Sequence, residues 1–229
     1  MSLTQTYTKL RRTFSFIDVA VFIVLSALMY GLIAVGKEWQ GVLRPTVEID
    51  LSPWSLPKYT FFSLVRGFTA YAISLVFTLI YGYVAAYNKR AEKVMIPLLD
   101  ILQSIPVLGF LPSLIIAFVA IFLHSNIGLE LVAVIMIFTG QVWNMTFSYY
   151  NSLKAIPNDL REAGRVYRLG WWKRFTKLEL PYSSIGLVWN SMMSMAGGWF
   201  FLTINEAFVL GNKDFRLPGI GSYMSVAIS

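Results

Sequence analysis

The stretch Asn158-Asp-Leu-Arg-Glu-Ala-Gly-Arg-Val-Tyr-Arg-Leu-Gly-Trp-Trp-Lys-Arg-Phe-Thr-Lys-Leu-Glu-Leu-Pro181 is a charged, aromatic island between two long apolar runs. Asp159 and Glu162 place negative charge in a first helical turn, where the helix dipole favours it. Gly170 interrupts the helical pattern, and an apolar stripe then resumes until Pro181. The stretch therefore predicts a helix, a bend and a second helix, with interfacial tryptophans at the bend.

Apolar and basic residues alternate within the first of these helices. Leu160, Ala163 and Tyr167 recur at helical spacing, which indicates one apolar face. The remaining, more polar faces are left to the basic residues Arg161, Arg165 and Arg168.

The composition of the whole chain indicates a membrane protein. Of the 229 residues 56% are hydrophobic and 14% are charged, and the mean hydropathy is +0.61. Soluble domains carry more charge and fewer apolar residues. The chain has no cysteine and one histidine, His124, which we expect to be a lone residue at a membrane interface. Disulfides, thiolate or histidine metal sites and serine-type triads are thereby excluded, and no enzyme is predicted.

Five apolar runs are long enough to cross a hydrocarbon core, which takes roughly 20 helical residues. Unpaired backbone groups are not tolerated in lipid, and these runs are far longer than barrel strands. The predicted fold is therefore an all-α membrane protein with about five transmembrane helices, at residues 14–36, 59–87, 94–123, 127–153 and 182–205.

Basic residues set the predicted orientation. Thirteen of the 19 lysines and arginines precede the first run, follow the second, or lie between the fourth and fifth. The positive-inside rule then puts these segments in the cytoplasm. The predicted organisation is a cytoplasmic segment 1–13, a first helix 14–36, an external loop 37–58, a helical core 59–205 with a cytoplasmic loop 154–181, and an external tail 206–229 that leads into a short helix. We expect the tail to be truncated before a sixth span.

Two of the apolar runs contain irregular sequences. The third contains Gln103-Ser-Ile-Pro-Val-Leu-Gly-Phe-Leu-Pro112, whose prolines and glycine predict a break or kink inside the membrane. Such a break is either a packing kink or a bend beside a solute path. The fifth run carries a small-residue patch that predicts close helix packing, made of Ser191, Ser194, Ala196, Gly197 and Gly198.

One segment of the first span partly matches a nucleotide-binding motif. Gly31-Leu-Ile-Ala-Val-Gly-Lys37 resembles a phosphate loop, but Glu38 replaces the magnesium-binding hydroxyl and the glycines lie in an apolar helix. We therefore expect no cofactor on this chain.

Six polar residues lie within or at the ends of the spans. Asp18 and Asp100 are interpreted as interfacial. Gln103, Ser104, Asn144 and Asn190 fit either interhelical hydrogen bonds or a solute path.

Glu162-Ala163-Gly164 followed by Leu178-Glu179-Leu180-Pro181 resembles the EAA loop of permease subunits from type I ABC importers. That pattern is Glu-Ala-Ala, three residues, Gly, nine residues, Ile, any residue, Leu-Pro. Arg168 stands where the family has its glycine, and Gly170 two places later indicates a displaced bend. With the sequences at 103–112 and 217–223, the similarity covers residues 60–225. It is greatest to the nitrate, sulfonate and taurine branch, and in particular to the N-terminal half of its duplicated anion-transport permeases.

This resemblance implies a bacterial or archaeal inner-membrane permease that imports a small solute, an anion such as nitrate, a sulfonate or taurine. Residues 160–169 would be a coupling helix seated in a groove of a cytoplasmic ABC ATPase, which would carry the ATP and Mg²⁺. The other implied partners are a second permease unit, homodimeric or fused, an external solute-binding protein and membrane lipids. The implied coupling residues are Asp159, Leu160, Glu162, Ala163, Gly164, Tyr167, Arg168, Gly170, Leu180 and Pro181.

A second reading of the residues remains open. An ion-coupled secondary transporter, or part of one, would use Asp18, Asp100 and the broken third span as its working parts.

Overall fold

The computed structural model describes residues 16–41, 48–122, 125–210 and 213–228, and this part of the chain is mostly helical. The helices are α1 Phe16–Trp39, α2 Leu56–Tyr87, α3 Lys89–Ser104, α4 Val107–Ile121, α5 Ile127–Lys154, α6 Asn158–Val166, α7 Trp171–Arg174, α8 Leu180–Glu206 and α9 Ile220–Ile228. The predicted segment 1–13, the first two residues of the predicted first span and His124 lie outside the described residues.

The membrane prediction is confirmed at the level of fold class. Three helical segments are long and apolar enough to cross a membrane, namely Asp18–Trp39, Pro53–Tyr87 and Ile127–Lys154, and α3 with α4 makes a fourth if the pair is one span. Helix α8 has 27 residues but is not among these candidates. The described part of the chain thus has three or four candidate spans, and the fifth stays a prediction.

The predicted third span consists of two helices, with the break inside the stretch 103–112 as expected. Helices α3 and α4 meet at 90°. The cause is Pro106, because the residue before a proline is pushed out of the helical region. Ile105 accordingly has an extended backbone with ψ 124°, and α4 begins only at Val107. The break was predicted in this stretch, and it is a right-angle turn.

Helix α5 is the centre of the core and packs along both α2 and α8. The hydroxyls of Thr78 on α2 and Thr146 on α5 hydrogen-bond at 3.0 Å, both fully buried. On α8, Ser191, Ser194 and Gly198 are buried. A side chain at Gly198 would collide with Gln141 of α5, so the small-residue patch lets these two helices approach closely, as predicted.

The tail after α8 is more ordered than the predicted loop. Strands β1 Ala207–Leu210 and β2 Lys213–Arg216 form an antiparallel hairpin in which Ala207 pairs with Arg216. Phe208 and Phe215 pack on an apolar cluster between α4 and α5 that contains Leu111, Ile115 and Leu129. The predicted short helix is present as α9.

Candidate functional site

The loop between α5 and α8 begins with α6, whose end has an unusual backbone. Arg168 has φ 48°, the left-handed region that favours glycine. The amide of Leu169 donates to the carbonyl of Gly164 at 3.0 Å, and the amide of Arg168 donates to Arg165 at 2.9 Å. This pair of bonds is the Schellman pattern that ends many helices. The expected displacement of the bend toward Gly170 was therefore wrong, since Gly170 has an ordinary φ of −61°.

Two sets of polar contacts hold this loop against α5 and α2. The guanidinium of Arg161 donates to the backbone oxygens of Leu153 and Lys154, the last carbonyls of α5. Such carbonyls have no partner within their own helix, so a basic side chain stabilises them. Buried Glu179 accepts hydrogen bonds of 2.8 Å from both the Tyr87 hydroxyl and Arg174 Nε. Helix α6 is thus tied to α5, and the following segment is tied to α2.

The second helix of the loop runs directly into α8. Residues Trp171–Arg174 are α-helical, Phe175–Glu179 form a π-helical turn, and Leu180 continues in helical conformation. Helix α8 thus begins with Leu180 and Pro181, two residues before the predicted run 182–205. Proline lacks an amide donor and its ring crowds the preceding turn, and the π-turn just before Pro181 is the kind of local widening that accommodates it.

Most of the residues that the resemblance implies for coupling are exposed. Asp159, Leu160 and Glu162 are exposed, and Tyr167 is 78% exposed. Ala163 and Leu180 are half-buried, and Pro181 is exposed. Gly164 is buried and faces Leu169 and Leu178. The predicted apolar face therefore points away from the protein core, whereas Arg161, Arg165 and Arg168 line a cavity on the other side of α6.

The four residues predicted for a solute path fall into two groups. Gln103 and Ser104 are exposed at the end of α3 and bond to the side chain and backbone of Asp100. Asn190 on α8 donates to Ser148 Oγ of α5 at 3.0 Å, and exposed Asn144 lies one helical turn from Ser148. Among the described residues, no hydrogen bond joins the two groups. Asn190 thus makes an interhelical hydrogen bond, which is one of the two roles predicted for it.

A buried ion cluster at the opposite end of α2 escaped the sequence analysis. Arg66, 1% exposed, donates to both carboxylate oxygens of Glu130 at 2.5 and 2.6 Å and to Glu206 at 2.7 Å. Glu206 also accepts from Ser63 and from the amide of Gly221. The cluster joins α2, α5, α8 and the segment after the hairpin. Its signal was available, since isolated charges of opposite sign in apolar runs are expected to pair.

Among the described residues no group of histidine and carboxylate side chains could hold a metal ion. The phosphate-loop-like glycines, Gly31 and Gly36, both lie inside helix α1.

Comparison with known proteins assigns the chain to a family. Residues 78–228 match the model of the binding-protein-dependent transport system inner membrane component. A Bacillus subtilis protein that carries the name of an aliphatic sulfonates transport permease is 23% identical over 145 residues, covering 63% of this chain and 49% of that protein. A bicarbonate transport system permease protein of Synechococcus elongatus is 24% identical over 165 residues, covering 72% and 55%.

A third relative, a trimethylamine N-oxide transport system permease protein of Pelagibacter ubique, is 31% identical over 109 residues, covering 48% of this chain and 14% of that protein. The chain spans about half the length of the first two relatives. The family match covers more than half of the chain and includes the loop between α5 and α8. The chain therefore belongs to the family of inner-membrane components of binding-protein-dependent transport systems, ABC transporter permeases that are transport components and not themselves catalytic.

Proposed function

We propose that the chain is a permease unit of an ATP-driven importer that passes a small anion across the inner membrane, with α6 as the helix that receives force from a cytoplasmic ATPase. The N-terminus and the loop between α5 and α8 face the cytoplasm in this proposal, because the basic residues concentrate there. ATP and Mg²⁺ belong to the ATPase, and this chain binds neither.

The observation that carries the proposal is the way the exposed helix α6 is fastened to the core. Its outward face is free to meet a partner, while Arg161 holds it to the end of α5. After the turn at Arg168, one continuous helical path leads through α7 and the π-turn into α8. A displacement of α6 would therefore be passed to α8 along this path, and to α2 through the hydrogen bond between Tyr87 and Glu179.

The polar edge between α5 and α8 is our proposal for the solute path. Asn144 and Asn151 of α5 are exposed, and Ser148 and Asn190 are half-buried. Polar side chains on a spanning helix are costly against lipid, so they favour a water-filled path or a contact with a second permease unit. A second unit, either another copy or a fused half, would close this path from the other side.

An anion is the solute class that we propose, with nitrate, sulfonates and taurine as examples from the resemblance. The relatives carry names for aliphatic sulfonates, bicarbonate and trimethylamine N-oxide, two of which are anions. An external solute-binding protein would deliver the solute and set its identity.

The proposal is tested by uptake into vesicles that contain this chain together with its partner ATPase and solute-binding protein. We expect uptake of an oxyanion solute to require hydrolysable ATP and to continue after ionophores have collapsed the ion gradients. An ion-coupled secondary transporter would give the reverse pattern. Asp100, which that alternative needs, lies exposed on α3, and its hydrogen bonds among the described residues are to neighbours on the same helix. Uptake that follows an ion gradient and ignores ATP would contradict the proposal.

A further inference from the structure

A cavity of about 450 Å³ lies between α6, the π-turn and the end of α2. Four arginines line it, namely Arg161, Arg165, Arg168 and Arg174, together with Tyr87 and the buried carboxylate of Glu179. Arg174 is paired with Glu179. The other three have no ion-pair partner among the residues that the structure describes. The cavity therefore carries a net positive charge, and its volume is in the range of small-molecule sites, about 300–1,000 Å³.

Two buried polar atoms of the residues that line the cavity have no hydrogen-bond partner within the part of the chain that the structure describes. Arg161 Nε is a donor without an acceptor, and Glu179 Oε2 is an acceptor without a donor. Glu179 is completely buried, and its other oxygen already accepts two hydrogen bonds. Buried polar groups in folded proteins are nearly always paired, so an unpaired donor and an unpaired acceptor at one cavity favour a ligand that pairs with both.

The left-handed conformation of Arg168 is a third, separate observation. An L residue other than glycine is strained there, and glycine would relieve the strain. The sequence instead keeps an arginine whose side chain lines the cavity. A contribution of this side chain to ligand binding would offset the cost of the strained backbone.

The ligand must present acceptors to the arginines and a donor to Glu179. A fully deprotonated oxyanion such as sulfate satisfies the arginines but puts an unprotonated oxygen near the carboxylate. Hydrogen phosphate has three acceptor oxygens for guanidinium groups and one hydroxyl that donates to Glu179 Oε2. We propose that this cavity binds hydrogen phosphate or a phosphate monoester, as a site separate from the solute path and from the outward face of α6.

The test is calorimetric titration of the purified full chain in detergent, at constant ionic strength and neutral pH, with phosphate, sulfate and a phosphodiester. We expect phosphate to bind about tenfold or more tightly than sulfate. The phosphodiester has no P–OH and should bind as weakly as sulfate. If it binds as tightly as phosphate, the occupant is a lipid headgroup and the proposal is wrong. The proposal is also wrong if phosphate does not bind or if sulfate binds equally well.

Substitutions separate binding from folding. Arg168→Gly removes both the side chain and the backbone strain, so we expect a higher melting temperature together with phosphate binding weakened about tenfold. Lys173→Gln removes an exposed charge from the same loop outside the cavity, and it should leave binding within about twofold. Glu179→Gln replaces the acceptor with an amide that can donate, so the preference for phosphate over sulfate should shrink or invert. Unchanged phosphate binding in Arg168→Gly, or an unchanged preference in a folded Glu179→Gln, would overturn the proposal.

Discussion

Charge reversal by Glu162→Arg is expected to abolish solute-stimulated ATP hydrolysis by the assembled transporter while the permease still inserts and folds. Glu162 is exposed on α6, so its replacement disturbs no internal contact. At an interface with the ATPase, a positive group that attracts Glu162 would repel the new arginine. Losing a buried charge pair costs about 2–5 kcal/mol, which corresponds to a loss of more than tenfold in coupling.

The control for this variant is Lys93→Glu, which reverses an exposed charge on α3, outside the loop. We expect it to retain stimulated hydrolysis. Melting temperatures of both variants in detergent should stay near that of the unchanged chain, because surface substitutions alter stability by about 0.5 kcal/mol or less. Full stimulation in Glu162→Arg would remove this residue from the coupling contact.

Arg66→Leu is expected to cause the largest loss of stability of any single substitution proposed for this chain. It removes the cation shared by Glu130 and Glu206 and leaves two carboxylates buried without it. Breaking a buried ion pair from one side costs about 3–5 kcal/mol, because the remaining charge is neither hydrated nor paired. Arg66 also donates to the carbonyl of Pro218 at 2.8 Å, so the segment after the hairpin should loosen as well.

Thermal unfolding in detergent measures this effect, and Arg90→Leu is the matched control because Arg90 is exposed on α3. The control should melt close to the unchanged chain. Adding Glu130→Gln to Arg66→Leu should recover part of the loss, since it removes one of the two stranded charges. Equal melting of Arg66→Leu and Arg90→Leu would mean that the cluster contributes little.

The helices that are apolar throughout could be predicted from hydropathy alone. The predicted run 127–153 differs from α5 by one residue, and the predicted end of the second run at Tyr87 is the end of α2. The break between α3 and α4 could also be predicted, because Pro106 restricts the backbone of the residue directly before it. The angle of 90° is set by how α4 packs on α5 and the hairpin, and no local pattern encodes that contact.

Contacts between residues that are far apart in the sequence could not be predicted. No local pattern connects Arg66 with its partners Glu130 and Glu206, which lie 64 and 140 residues away in the sequence. The hairpin after α8 was read as a loop because its strands have only four residues each. At Arg168 the spacing of the EAA-like pattern marked the bend correctly, and the nearby Gly170 diverted the prediction because glycine is the usual residue at such turns.

Contact between α6 and an ATPase is the central claim, and site-specific cross-linking tests it most directly. The chain has no cysteine, so one substitution introduces a unique thiol. Val166→Cys lies at the end of α6 where the side chain is 79% exposed, and Trp54→Cys lies before α2, at the opposite end, where it is 92% exposed. With a short thiol-reactive cross-linker, we predict a covalent adduct between the ATPase and the chain with cysteine at 166, and none at 54. An adduct at 54, or none at 166 in an assembled complex, would contradict the account.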